Sequence, residues 1–233
     1  MEQCSFFPLT LALTEADEHL SIQVHPDDQL TNTIEHKARG KRESWYFLEG
    51  PDSGYIYNGC ICKNEKERDK FLQSKKYMEM ADILTINPED YVFVDPGTLH
   101  AITAGSLVYE IEEGADFTYR FFDYNRIDSD GRTRDLHIEK ATAALCFQKK
   151  STIKHYQEAN WIDEATYSTK RLVSKTNYRN DSSTIECLTL IRGQVICDGI
   201  CLRPGMTVML WPDEAVRSAD LKLAFVSKFR GEI

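Results

Sequence analysis

Gln23, His25, Glu43 and His100 are the residues whose types and spacing point most directly to chemistry. In Gln23-Val24-His25, strand alternation puts the amide and the imidazole on one face and Val24 on the other. Glu43 opens a second run, Glu43-Ser44-Trp45-Tyr46, and Lys41 shares its face by the same alternation. His100 stands three residues after the Pro96-Gly97 turn. Two imidazoles, a carboxylate and an amide oxygen make a mixed nitrogen and oxygen donor set. Zinc accepts such a set, and a position left open to water or substrate makes the site catalytic. The donor types alone also admit iron, manganese or nickel. Taken singly, each residue is more often an ordinary core or surface side chain; the combination carries the reading.

The elements that must position these residues are mostly strands. Leu20–Val24, Ser44–Leu48, Tyr55–Tyr57, Ile83–Ile86, Tyr91–Val94, Ala101–Thr103, Leu107–Ile111 and Thr118–Phe122 are short runs rich in β-branched or aromatic residues, punctuated by Gly, Pro, Asp and Asn. Many short strands at close spacing predict a sandwich or a barrel. Pro26, Asp27 and Asp28 end the first run. The charged stretch 64–81, with Phe71, Leu72, Met78 and Met80 as its apolar positions, predicts a surface helix inserted between strands. Residues 135–147 predict a helix or helical linker, and a second β-rich segment runs from about Tyr167 to the C-terminus. Asp95-Pro96-Gly97 and Arg203-Pro204-Gly205 are matching turns in the two halves, but the segment after Tyr156 has no histidine. The expected division is a metal-binding domain at 1–126, a helical linker at 127–150 and a metal-free β domain at 151–233.

Composition narrows the function classes. The chain of 233 residues is 42% hydrophobic and 28% charged, ordinary for a folded protein. A formal net charge of −9 disfavours nucleic acid and anionic membrane as partners. No apolar run is long enough to span a membrane, and the N-terminus lacks a basic region and a small-residue cleavage site, so neither a membrane span nor a secretory signal is expected. The seven cysteines (Cys4, Cys60, Cys62, Cys146, Cys187, Cys197 and Cys201) include no CxxC pair. They are read as reduced thiols of a cytoplasmic protein rather than as a structural zinc site.

The order Q-x-H, Glu, then P-G-x-x-H is similar to that of a cupin metal site, in which the first pair is H-x-H. More closely, LSIQVHPDD (20–28), GKRESWYFLE (40–49), PGTLHAI (96–102) and LVYEIEEGADFTYRFFDYNR (107–126) resemble the type I mannose-6-phosphate isomerases, especially their short bacterial branch. The likeness covers about half the chain closely and continues weakly through GQVICDG and the Arg203-Pro204-Gly205 turn. It implies a cupin (jelly-roll) barrel with a helical insertion and a second, smaller, degenerate cupin-like domain. It also implies one zinc ion on Gln23, His25, Glu43 and His100, Arg120 as catalytic arginine, Lys41 and Glu110 lining the active site, and Ser21 near the substrate phosphate. The activity implied is metal-dependent interconversion of mannose 6-phosphate and fructose 6-phosphate through an enediol, with Glu110 or Lys41 as the base. The small-molecule partner is a sugar phosphate; monomer and dimer are both open.

The sequence departs from the family in two places. The family's usual N-terminal strand and W-G motif are missing ahead of the first matching block. Ala12 stands where the family carries a lysine facing the substrate, which removes one expected positive charge near the phosphate. Three rivals stay open: an isomerase of another or unphosphorylated sugar, a non-catalytic sugar-binding or regulatory cupin, and an iron-dependent cupin oxygenase. For single residues, the plain alternatives are Arg120 as a surface arginine paired with Asp116 or Asp123, Glu110 as a solvated strand carboxylate, and Trp45 and Tyr46 as core packing.

Overall fold

The computed structural model describes residues 7–127, 129–157, 160–174 and 177–230. Thr10–Lys154 forms one compact unit, and the described residues from His155 onward, together with residues 7–9, build the other.

The first unit is made of β1 (Leu9–Ala16), β2 (Ile22–Val24), α1 (Asp28–Glu35), β3 (Lys41–Glu49), β4 (Tyr55–Cys60), α2 (Glu65–Gln73), α3 (Tyr77–Met80), β5 (Ala81–Thr85), β6 (Tyr91–Val94), β7 (His100–Ala101), β8 (Ser106–Gly114), β9 (Tyr119–Phe122), α4 (Ile138–Ala144) and β10 (Ile153–Lys154). Ten strands make two five-stranded sheets, ordered β1-β8-β3-β6-β10 and β5-β4-β7-β2-β9. The pairing is antiparallel, as between β3 and β8 and between β2 and β9. Trp45, Phe47, Ile56, Val92, Val94, Ile102 and Val108 form one buried cluster. Ile22, Val24, Leu99, Tyr119 and Phe121 form another, against which residues of α2, α3 and α4 pack. The outward side chains of β2 and β9 are therefore roofed by helices, and the alternate ones (Gln23 and Arg120) face the other way.

The charged insertion forms two helices rather than one: Lys75 takes a left-handed conformation (φ 55°) and separates α2 from α3. Asn64 caps α2 by accepting from the Glu67 N–H. The first strand, β1, and the helix α1 have no counterpart among the expected elements. Asp27 does more than end a strand: its side chain accepts from the Leu30 N–H at 2.8 Å and starts α1. The strand β10 falls beyond residue 150 yet pairs with β6, so Ile153 and Lys154 belong to the first unit. Cys4 lies outside the described residues, and the other six cysteines are free.

The second unit contains β11 (Ile162–Asp163), β12 (Tyr167–Val173), β13 (Asn177–Arg179), β14 (Glu186–Cys197), β15 (Ile200–Leu202), β16 (Thr207–Leu210) and β17 (Ala215–Phe229) in one seven-stranded antiparallel sheet. The sheet curls around Leu172, Leu188, Leu190, Leu210, Val216, Ala224 and Val226.

The two units share a local geometry. In the first, Thr98 N–H bonds Asp95 O at 3.1 Å across Pro96-Gly97, and Gly97 has φ +86°. This is a type II turn, whose third position requires positive φ. The Gly97 N–H reaches His25 O at 2.8 Å, and Gln23 pairs with His100. In the second, Met206 N–H bonds Arg203 O at 3.0 Å, Gly205 has φ +87°, and its N–H reaches Leu190 O at 2.8 Å. Leu188 there pairs with Val208. Leu188, Leu190 and Val208 thus occupy the positions of Gln23, His25 and His100.

One close approach sets the entrance of β3. A Cβ on Gly114 (φ +107°) would lie 1.9 Å from Gly40 O, and one on Gly40 would lie 2.2 Å from Pro26 O. Gly114→Ala combines backbone strain with a hard clash and should cost at least about 2 kcal/mol. Urea unfolding measures this; an unchanged midpoint would show that the two chains can move apart freely.

Candidate metal centre

Three strands bring the predicted residues together. Gln23 lies on β2, Glu43 on β3 and His100 on β7, and His25 follows β2 directly. The donor atoms of His25, Glu43 and His100 all lie within 4.8 Å of one another. All three side chains are buried, each about 1% exposed. Gln23 Nε2 stands 3.3 Å from His100 Nε2, and Ser21 Oγ donates to Gln23 Oε1 at 2.7 Å. A half-turn of the amide exchanges its oxygen and nitrogen, and the Ser21 hydroxyl satisfies either orientation because it both donates and accepts.

The hydrogen bonds around the imidazoles fix what the cluster can hold. His25 Nδ1 is 2.8 Å from Phe117 O, and His100 Nδ1 is 2.8 Å from Thr98 O. A carbonyl only accepts, so each Nδ1 carries the proton and each Nε2 of a neutral ring presents a lone pair. Those lone pairs face the Glu43 carboxylate, with His25 Nε2 3.2 Å from Oε2 and His100 Nε2 3.1 Å from Oε1. Burial drives His25 below the ordinary imidazole range despite the pull of Glu43. Burial opposes charge on Glu43, but His25, His100 and Lys41 overcome it and hold its carboxyl well below the usual range. With each Nδ1 proton committed to a carbonyl, the two Nε2 atoms meet the Glu43 carboxylate only through a positive charge placed between them, a proton or a metal ion. His25 Nε2 and Glu43 Oε1 are in fact buried without a hydrogen-bond partner. The donor set therefore fits a divalent metal on chemical grounds. Trp45 backs the cluster, its ring edge-on to His100 with centroids 5.6 Å apart.

A charged shell lines the same inner face. The β3–β8 register sets Glu43 opposite Glu112 and Trp45 opposite Glu110. Lys41 Nζ is 2.5 Å from Glu112 Oε1 and 3.6 Å from both Glu43 Oε2 and Asp116 Oδ1. Burial works against its charge, yet Glu43 and Glu112 raise it above the ordinary lysine range. Lys41 is therefore held protonated. Glu110 accepts from Trp45 Nε1 at 2.9 Å and from Thr14 Oγ1 at 2.8 Å. Burial, with Glu43 and Glu112 nearby, pushes its carboxyl up to about 7, so it is not a solvated strand carboxylate. Trp45 is core packing, as one reading had it, and also holds Glu110.

Arg120 lies opposite Gln23 in the β2–β9 register, on the cluster's side of the sheet. The acids proposed as its partners are otherwise engaged: Asp123 accepts from Arg126 and Arg134, and Asp116 faces Lys41. Among the described residues no carboxylate pairs with Arg120, and its Nε is buried without a partner. Burial and the nearby Arg134 pull its guanidinium below the ordinary range. Ala12 shares the inner face with Thr14 by alternation on β1. Residue spacing alone did not single out Glu112, Thr14 and Trp45 as parts of the site. Period-2 alternation from Glu110 was the available signal for Glu112, whereas Thr14 sits on a strand that was not expected.

No family model matches the chain. Curated relatives carrying mannose-6-phosphate isomerase names are 32–38% identical to it. One is the mannose-6-phosphate isomerase ManA of Bacillus subtilis, 32% identical over 154 residues, 65% of this chain and 49% of that protein. The chain spans about half the length of the curated relatives it matches. A crystal structure of the mannose 6-phosphate isomerase from Bacillus subtilis superposes with a TM-score of 0.79 at 27% identity, covering 95% of this chain and 75% of that one. A zinc-bound mannose 6-phosphate isomerase shares the fold at 12% identity and a TM-score of 0.68, over 98% of this chain and 80% of that one. The chain is thus a homologue of the mannose-6-phosphate isomerases and has their cupin fold, as its motifs implied.

The ring hydrogen bonds give a direct test of the centre. Nitrogen NMR of metal-free protein should show a proton on Nδ1 of both His25 and His100, and titrated zinc should move their Nε2 resonances most strongly. A proton missing from Nδ1 in either ring would contradict the assigned ligand atoms.

Proposed function

We propose that this homologue of the mannose-6-phosphate isomerases is a zinc-dependent aldose–ketose isomerase that interconverts mannose 6-phosphate and fructose 6-phosphate. The observation that carries the proposal is the buried Gln23, His25, Glu43 and His100 cluster, flanked by Lys41 and Glu110 on one sheet and, on the other, by Arg120, with which no carboxylate pairs among the described residues. Zinc held by those four residues supplies positive charge for the oxygen that becomes anionic in the enediol.

The chain's own residues divide the remaining work. Aldose–ketose exchange moves a proton between C1 and C2 and needs a group that takes it and returns it. Lys41 is committed to Glu112, Glu43 and Asp116, so it serves as a hydrogen-bond donor to substrate oxygen rather than as the base. Glu110, fixed by Thr14 and Trp45, is the carboxyl left to carry the proton. Arg120 has its charge uncommitted and binds the anionic part of the substrate, with Ser21 beside Gln23 on the phosphate side. The second unit holds no metal in this reading, because Leu188, Leu190 and Val208 offer no donors at the matching positions. Among the described residues no helix is long and apolar enough to cross a membrane, and the six described thiols, all free, fit a cytoplasmic setting.

Ala12 supports a second reading. An uncharged methyl on the inner face of β1 lowers the expected positive charge, which suits an unphosphorylated sugar. A coupled assay of the purified protein against mannose 6-phosphate and free mannose, with metal analysis of the same sample, separates the two. The proposal expects about one zinc per chain and preference for the phosphorylated sugar. Equal turnover of free mannose would favour the second reading, and sugar binding without exchange would leave only a binding cupin.

Two substitutions test the roles. Arg120→Ala should keep the metal and lower kcat/KM by about 100-fold or more; unchanged activity would make the arginine structural. His100→Ala should lower bound metal about tenfold or more, and full metal content would refute the ligand set.

A further inference from the structure

The second unit has a cavity of about 530 Å³ of its own, within the size range of small-ligand sites. Strand alternation explains its character. On β14 the face that carries Leu188 and Leu190 continues to Glu186; on β17 the face of Val226 continues to Lys228; on β12 the face of Leu172 continues to Lys170. One end of an apolar interior therefore carries two lysines and one glutamate. Trp161 and Tyr178 close around them.

Among the described residues, Lys170 is the cation at this end left without a close acid. Lys170 Nζ sits 4.3 Å from the Trp161 ring centroid and 4.5 Å from that of Tyr178. Lys228 Nζ lies 4.2 Å from the same indole centroid. Glu186 serves several partners: its Oε2 accepts from the Tyr178 hydroxyl at 2.5 Å, and its Oε1 is 3.8 Å from Lys228 Nζ. Arg179 at the rim is bound to Asp213 at 2.6 Å and Asp181 at 3.4 Å. Among the described residues Lys170 has no carboxylate within 4 Å and no hydrogen bond. The aromatic faces offset part of its charge but give its three N–H groups no acceptor oxygen. Burial, and the repulsion of Lys228, pull Lys170 below the ordinary lysine range, against the attraction of Glu186 and Asp181.

We propose that this end of the second unit is a binding site for a small phosphomonoester, whose phosphate oxygens accept from Lys170 and Lys228 while its organic part lies against Trp161 and Tyr178. The site lies within the second unit and, among the described residues, holds no metal donor set. A phosphomonoester suits it because, among the described residues, Lys170 has no acid within 4 Å and Lys228 has only Glu186 at 3.8 Å, and a dianion supplies acceptors for both ammonium groups. An apolar floor under a polar rim with aromatic walls is the usual make-up of a small-molecule site.

Calorimetric titration of the full-length protein with glycerol 2-phosphate tests the proposal. His100→Ala protein serves as a second background, to remove the contribution of the metal centre. Saturable binding at one site per chain should appear in both backgrounds. Lys170→Met and Lys228→Met should each weaken it at least tenfold, and Lys170→Arg should restore most of it. Thermal unfolding run alongside shows whether each variant is folded, and the charge-conserving Lys170→Arg separates loss of charge from loss of packing. Binding that survives both methionine variants, or that vanishes in His100→Ala, would overturn the site. So would the absence of saturable binding, or equal binding of succinate.

Discussion

A buried carboxylate facing two imidazole lone pairs is the constraint around which the first unit is arranged. Glu43 is ionised in a place where water does not reach it, and the atoms nearest to it on two sides are acceptors. Such a group is tolerated only with positive charge close by. Lys41 supplies some of it from the same strand, and the donor geometry reserves the rest for a cation. The surrounding features serve this arrangement. Phe117 and Thr98 carbonyls orient the rings, Ser21 orients the amide, and Trp45 fills the space behind His100. The helices on the outer face of β2 and β9 keep that sheet dry on its other side.

Much of this was legible in the sequence, for physical reasons. A period of two identifies faces, so Gln23 with His25, and Lys41 with Glu43, could be paired from spacing alone. The Pro96-Gly97 turn fixed where the strand carrying His100 begins, and β6 was found with its observed ends, Tyr91–Val94. Other parts were not legible. The register between strands cannot be read along one strand, so the alignment of Glu43 with Glu112 was hidden, and with it the protonation state of Lys41. β1 was missed although its sequence alternates, and α1 was missed because its cap, Asp27, was taken only as a strand terminator. The break between α2 and α3 rests on a non-glycine residue at positive φ, Lys75, which no residue-type rule would flag.

The two units show how little backbone change separates a metal centre from an apolar core. Each has a type II Pro-Gly turn whose glycine N–H reaches back to the preceding strand, and each pairs the residue two before that contact with the residue three after the glycine. The side chains at those positions decide the outcome. Polar donors gather a cation in one unit, whereas Leu188, Leu190 and Val208 simply close the interior of the other. With its centre filled by hydrocarbon, the second unit gathers charged side chains at one end, where Lys170, Lys228 and Glu186 meet.

The pairing of Gln23 with His100, and the bond from His25 to Phe117, join residues 77 and 92 positions apart along the chain. No local segment contains more than two of the four ligands. A nascent or unfolded chain therefore offers a metal only scattered, weak donors, and strong capture must wait until both sheets have closed. The cost of closing those long loops falls on folding, before any metal contact repays it. Once bound, the ion acts as a latch on the finished barrel, because releasing it requires strands that lie far apart in sequence to separate.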